Sequence, residues 1–89
     1  MSNDILDFNE LAKIARENRL ARFRKAVEAN PDLVQKVFSW VREVAERGDR
    51  EATIDVEDND FREGMIVLLC EQGAAVSRES STGIKISFA

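Results

Sequence analysis

The chain has no histidine and no tyrosine among its 89 residues, one cysteine, one proline and four glycines. Without histidine there is no imidazole to act as a general base at neutral pH or as a nitrogen ligand for a transition metal. A serine–histidine triad, a cysteine–histidine dyad and a typical zinc site within one subunit are thereby excluded. A single cysteine, Cys70, cannot close an internal disulfide, and nothing points to an oxidising compartment. The longest apolar run, Met65 to Cys70, is six residues, far short of the ~20 that a membrane-spanning helix needs. The opening Met-Ser-Asn-Asp lacks the basic start and apolar stretch of a signal peptide. Gly64, Gly73 and Gly83 stand alone, so there is no glycine-rich phosphate loop. These absences lead to the expectation of a cytoplasmic protein with no membrane span, no cofactor, no small-molecule substrate and no catalytic residues.

What is abundant is charge. Charged residues make up 34% of the chain and hydrophobic ones 44%, with a formal net charge of -4. Residues 1–50 hold ten basic and nine acidic groups, whereas residues 51–89 hold three and eight. The second part is therefore the acidic one, and an acidic surface repels a phosphate backbone unless a separate basic patch makes the contact. The length suits one domain with a small core, burying somewhat more than roughly 60% of its unfolded surface. Residues 1–48 read as a helical half and residues 51–89 as a β-α-β-β unit.

Asp4 to about Ala29 is rich in Ala, Leu, Arg, Lys and Glu, all good helix formers. Phe8, Ala12, Ala15, Phe23, Ala26 and Val27 fall on one side of a helical wheel, and Arg16 and Arg19 interrupt that side. Either the helix breaks near Asn18, or the two arginines lie along the core edge with buried stems and solvated heads; a continuous helix is the favoured arrangement. Asn30-Pro31-Asp32 ends the segment, because the residue before proline disfavours the α region and proline suits the first turn of a new helix. The second helix runs to about Arg47. Its apolar set (Leu33, Val34, Val37, Phe38, Trp40, Val41, Val44, Ala45) covers an arc too wide for one neighbour.

Glu51 to Glu57 alternates strictly, with Ala52, Ile54 and Val56 on one face, as in a half-buried strand. Asp60-Phe-Arg-Glu63 has the form of a capping box, and Gly73 stands where a helix-terminating glycine belongs. The intervening Phe61, Met65, Leu68 and Leu69 make a helical stripe. Residues 74–79 and 84–89 flank a Ser80-Ser-Thr-Gly83 turn as a hairpin. If the hairpin and the first strand share a sheet, right-handed connections put the last strand in the middle, antiparallel to both neighbours. The expected fold class is thus α+β: a helical pair followed by a β-α-β-β unit with a three-stranded antiparallel sheet.

Two clusters invite chemical readings. Asp55, Glu57, Asp58, Asp60 and Glu63 suggest a hard cation, but the EF-hand pattern fails because Gly64 comes too late and Arg62 intrudes where a ligand belongs. A solvated strand face followed by helix capping accounts for the same residues, with Lys85 as a cross-strand partner of Asp55, and no metal site is expected. Lys13, Arg16, Arg19, Arg22, Arg24 and Lys25 suggest nucleic acid. They scatter around the helix, however, with Glu10, Glu17 and Glu28 among them, as on an ordinary solvated surface. Cys70, inside the apolar run, reads as a buried inert thiol.

The order of elements resembles small bacteriophage-encoded accessory or virion proteins of uncharacterised function. The likeness lies in a charged helical first half, a short strand, a helix ending Cys70-Glu-Gln-Gly73 and a hairpin finishing Ile84-Lys-Ile-Ser-Phe-Ala89. It carries over no site residue and implies a role in binding another protein, in a host cytoplasm or a virion. The expected function is non-enzymatic protein–protein association, with a second copy or one larger partner, as an inhibitor, adaptor or structural subunit. The candidate interface residues are Arg16, Arg19, Phe38 and Trp40. The alternative is a nucleic-acid-associated protein using the arginines of the first helix, or an acidic mimic of DNA that inhibits a DNA-binding protein.

Overall fold

The architecture is that of a computed structural model describing residues 7–88. The expected start of the first helix at Asp4 and end of the last strand at Ala89 lie outside the described residues. Helix α1 (Phe8–Glu28) is followed by α2 (Pro31–Glu46), β1 (Glu51–Asp55), α3 (Asn59–Glu71), β2 (Ala75–Arg78) and β3 (Gly83–Ser87). The sheet order is β1-β3-β2, antiparallel throughout, so β3 is central as its place in the chain predicts.

Local chemistry sets the ends of these elements. The Asp7 carboxylate opens α1 by accepting from the amides of Asn9 (3.0 Å) and Glu10 (3.2 Å). The Asn30 side-chain amide closes it by donating to the Ala26 carbonyl at 2.7 Å, and Pro31 starts α2. Gly48 and Gly73, at φ +90 and +95, follow α2 and α3 in the left-handed region where a side chain is strained. The α3 cap is Asp58, whose Oδ1 accepts from the Phe61 amide at 2.9 Å. This corrects the expected capping box at Asp60, which instead lies in the first turn and pairs with Arg22.

Strand alternation puts Ala52, Ile54, Val76, Ile84 and Ile86 on one face of the sheet, and α3 covers that face with Phe61, Met65 and Leu69. Met65 and Ile84 are wholly buried, and Val37 of α2 joins the same cluster. The opposite face, with Thr53, Ser77 and Lys85 abreast at the middle of the sheet, carries no helix among the described residues. Lys85 lies opposite Thr53 and reaches Glu79 at 3.9 Å. Asp55, opposite Gly83, accepts instead from the Thr82 hydroxyl at 3.4 Å, so the expected Asp55–Lys85 pair is not formed. Cys70 is exposed, also against expectation. The apolar run is helical, and at 100° per residue Cys70 falls on the opposite side of α3 from Phe61.

Helix α1 crosses α3 at Gly64, where a Cβ would lie 2.5 Å from Val27 Cγ2 and against the Phe23 carbonyl oxygen. Only a glycine admits that approach. Phe23 is buried there, Ala26 and Val27 are half-buried, and Arg22–Asp60 (3.2 Å) and Arg24–Glu71 (2.8 Å) flank the crossing. Ahead of Leu20 the helix continues without a neighbour among the described residues: Asp7 to Arg19 are all exposed. The chain is correspondingly elongated, with extents of 65 × 26 × 23 Å. Its radius of gyration is 16.6 Å, against about 12 Å for a compact domain of this length. Arg16 and Arg19 therefore do not interrupt a buried stripe or lie along a core edge. They sit on a helix that has left the core.

Candidate functional site

Two surfaces stand out because folding leaves them apolar and uncovered. The first is the projecting half of α1. Phe8 is 75% exposed, Leu11 40% and Ile14 45%. On a wheel of 100° per residue this stripe is centred about 110° away from the side that Phe23, Ala26 and Val27 turn toward α3. One continuous helix thus carries two apolar faces, one against α3 and one bare. Arg19 borders the bare stripe on the Phe8 side, with Arg16 a further 60° round toward the Phe23 side, and Glu10 and Glu17 border it on the Ile14 side.

The second surface is a groove of ≈ 440 Å³ between α2 and the β1–α3 connection. Val37, Ile54, Val56 and Phe61 contribute its apolar lining, with Leu33 and Trp40 one above the other along α2. Charges divide its margins: Asp55, Glu57 and Asp58 on the strand and connection, Lys36 on the helix. Leu33 and Trp40 remain 44% and 38% exposed, which is high for apolar residues so close to a core.

The position of Trp40 follows from the sheet. β1 is an edge strand, and because residues 50 and 56 bond toward β3, the backbone groups of 51, 53 and 55 point away from it. The Trp40 indole N–H donates to one of these outward carbonyls, that of Thr53, at 3.3 Å. The Arg47 guanidinium lies 5.2 Å from the centre of the ring, a cation–π contact of ~0.5–1 kcal/mol at an exposed site. The indole is held at both its polar and its π surfaces while its edge stays open to the groove.

The connection on the other margin is held by Arg62, which is 9% exposed. Its guanidinium donates to the Val56 carbonyl at 2.7 Å, the Glu57 carbonyl at 3.4 Å and Asn59 Oδ1 at 2.9 Å. A side chain that intrudes on any cation-binding reading of this segment is thus the clamp that shapes it. No family model, curated protein or solved structure matches this chain.

The acidic residues have local partners. Asp58 caps α3, Asp60 pairs with Arg22, Glu63 pairs with Arg78 and lies 4.0 Å from Arg62, and Asp55 bonds Thr82. Among the described residues, no three carboxylates or thiols converge on a common point that could hold a metal. No helix among them is long and apolar enough to cross a membrane.

The four candidate interface residues are not gathered in one place. Arg16 and Arg19 lie on the projecting half of α1, and Trp40 lines the groove. Phe38, two residues before Trp40 and so on a different side of α2, is half-buried beside Gln35, Ser39 and Arg42. Leu11 and Ile14 were not singled out as site residues by pattern, although their offset from the Phe23 side of the wheel was available as a signal. Leu33, Ile54 and Val56 belong to the site only because the fold brings α2 beside β1.

Proposed function

We propose that this chain is a non-enzymatic protein-binding domain whose contact element is the projecting half of α1. The observation that carries this reading is the exposed stripe Phe8, Leu11 and Ile14 on a half-helix against which none of the described residues packs. A helical segment of twelve residues is marginal in water by itself, and most helices gain their stability from packing an apolar face. Here such a face is supplied with no neighbour among the described residues, as in partners that lay an amphipathic helix into a groove. The mixed charges beside the stripe suit a protein surface better than a phosphate backbone. An accessory or virion-associated role, as the element order suggests, is one setting for such a domain.

The test is sedimentation of fluorescently labelled chain at trace concentration in extract of the source cells, beside a Leu11→Asp/Ile14→Asp variant. The wild type is expected to sediment as a larger, nuclease-resistant species and the variant at the size of the free chain. Identical sedimentation of the two, both in the extract and for the purified chains at up to about 300 µM, would overturn the reading. Release of the complex by nuclease would instead support the nucleic-acid alternative.

A further inference from the structure

We infer that the occupant of the α2–β1 groove is a second copy of this chain: the projecting half of α1 from each copy docks, apolar stripe inward, in the groove of the other. The inference rests on the protein-association reading above and names its partner. Three observations carry it.

The dimensions agree. From Phe8 to Ile14 the stripe rises about 9 Å, and from Leu33 to Trp40 the groove margin rises about 10.5 Å, both at 1.5 Å per residue. Phe8 and Leu11 stand in the i, i+3 relation by which an amphipathic helix anchors in a hydrophobic groove, and Ile14 continues the stripe by a further three residues.

The charges agree as well, on both margins at once. The basic flank of the stripe, Arg19, matches the margin of Glu57 and Asp58, and the acidic flank, Glu10 and Glu17, matches Lys36. This pairing fixes the direction in which the helix lies, because reversing it sets like charges against each other.

The area decides the stoichiometry. Twelve residues of helix are about 18 Å long, and covering some two-fifths of an ~11 Å cylinder buries about 500 Å² when both surfaces are counted. One such contact falls below the roughly 1,000 Å² at which specific interfaces begin, and two reach it. A reciprocal exchange about a two-fold axis supplies two. The arm cannot fill its own groove, since α1 is unbroken through Leu20 and its base is held at α3 by Phe23 and Arg22.

Sedimentation velocity from about 1 to about 300 µM tests this, with the emission of Trp40, the only tryptophan, as a reporter within the groove. The expected result is a monomer–dimer equilibrium in the micromolar range, with tryptophan emission shifting to shorter wavelength as dimer forms. Leu11→Asp/Ile14→Asp and Leu33→Asp should each weaken dimerisation at least about tenfold. All three positions are exposed, so circular dichroism of the monomer should be unchanged. An equimolar mixture of the two variants retains one intact arm–groove contact and should form a weak heterodimer. Arg19→Glu should weaken the dimer, and Glu57→Lys in the same chain should restore it. A wild type that stays monomeric at the highest concentration overturns the inference and leaves the arm to a different protein. A dimer abolished by the arm variant but indifferent to Leu33→Asp also overturns it, since the arms would then pair with each other, while the association reading stands.

Discussion

Replacing Gly64 by alanine sets two opposing effects of known sign against each other. In an ordinary helix interior the change is favourable, since alanine exceeds glycine in helix propensity by about 1 kcal/mol. At this position the new methyl would sit 2.5 Å from Val27 Cγ2 and against the carbonyl oxygen of Phe23, where ordinary carbon contacts are about 3.5–4 Å. Val27 can turn about χ1, but a backbone carbonyl in the middle of α1 cannot yield without the helix. The α1–α3 pair must therefore separate by about 1 Å, loosening Phe23, which is 7% exposed. Overpacking of this kind costs about 1–3 kcal/mol. Net of the propensity gain, Gly64→Ala should destabilise by about 1 kcal/mol, a fall in Tm of roughly 4–8 °C for a domain of this size. Thermal and urea unfolding followed by circular dichroism measure it, with Cys70→Ala, on the exposed side of the same helix, as a near-neutral control. Adding Val27→Ala should recover little, because the carbonyl remains. A Gly64→Ala protein as stable as the wild type, or more so, would show that α1 does not approach α3 at this point.

Arg62→Met leaves the Val56 carbonyl and Asn59 Oδ1 without a charged donor and should cost about 2 kcal/mol in urea unfolding, with Arg62→Lys recovering part of the loss. Met65→Ala empties the centre of the α3–sheet core and should cost about 2–5 kcal/mol by the same measurement. Arg24→Ala, by contrast, removes an ion pair whose partners are 57% and 50% exposed, and it should move stability by less than about 0.5 kcal/mol. Amide hydrogen exchange in the dilute monomer should show fast exchange from Leu11 to Arg19 and protection from Phe23 to Glu28, because only the latter part of α1 is packed. Uniform protection along α1 would contradict that division.

The β-α-β-β unit was legible because its signals are local. A period of two across residues 51–57, a glycine after α3 and a polar turn at Ser80–Gly83 each specify their own element. Right-handed connection then orders the strands. The details that escaped depend on choices among near-equal neighbours. Asp58 and Asp60 are both competent caps two residues apart, and only the start of the helix decides between them. Lys85 could reach either Asp55 or Glu79, and the register sets it opposite Thr53. The larger omission concerns α1. Helix-forming composition runs unbroken through residues 8–28 whether or not anything lies beside them, so the pattern shows a helix but not where its neighbour ends. The groove was beyond reach for a related reason: Leu33, Ile54 and Val56 come from segments whose juxtaposition is tertiary.

The hydrogen bond from Trp40 to the Thr53 carbonyl also bears on how copies of the sheet can meet. A sheet with two open edges can add neighbours at both and grow into a ribbon without limit. In this chain α2 and the indole obstruct the β1 edge, and the outward backbone groups of Val76 and Arg78 on β2 are what remains for another strand to join. Two copies joined there would have used the open edge of each, so strand pairing closes at a pair. Removing the ring, as in Trp40→Ala, gives the sheet a second live edge. The tryptophan is in this sense a terminator, and its loss should be read out as fibrillar or amorphous aggregation as much as by a change in melting temperature.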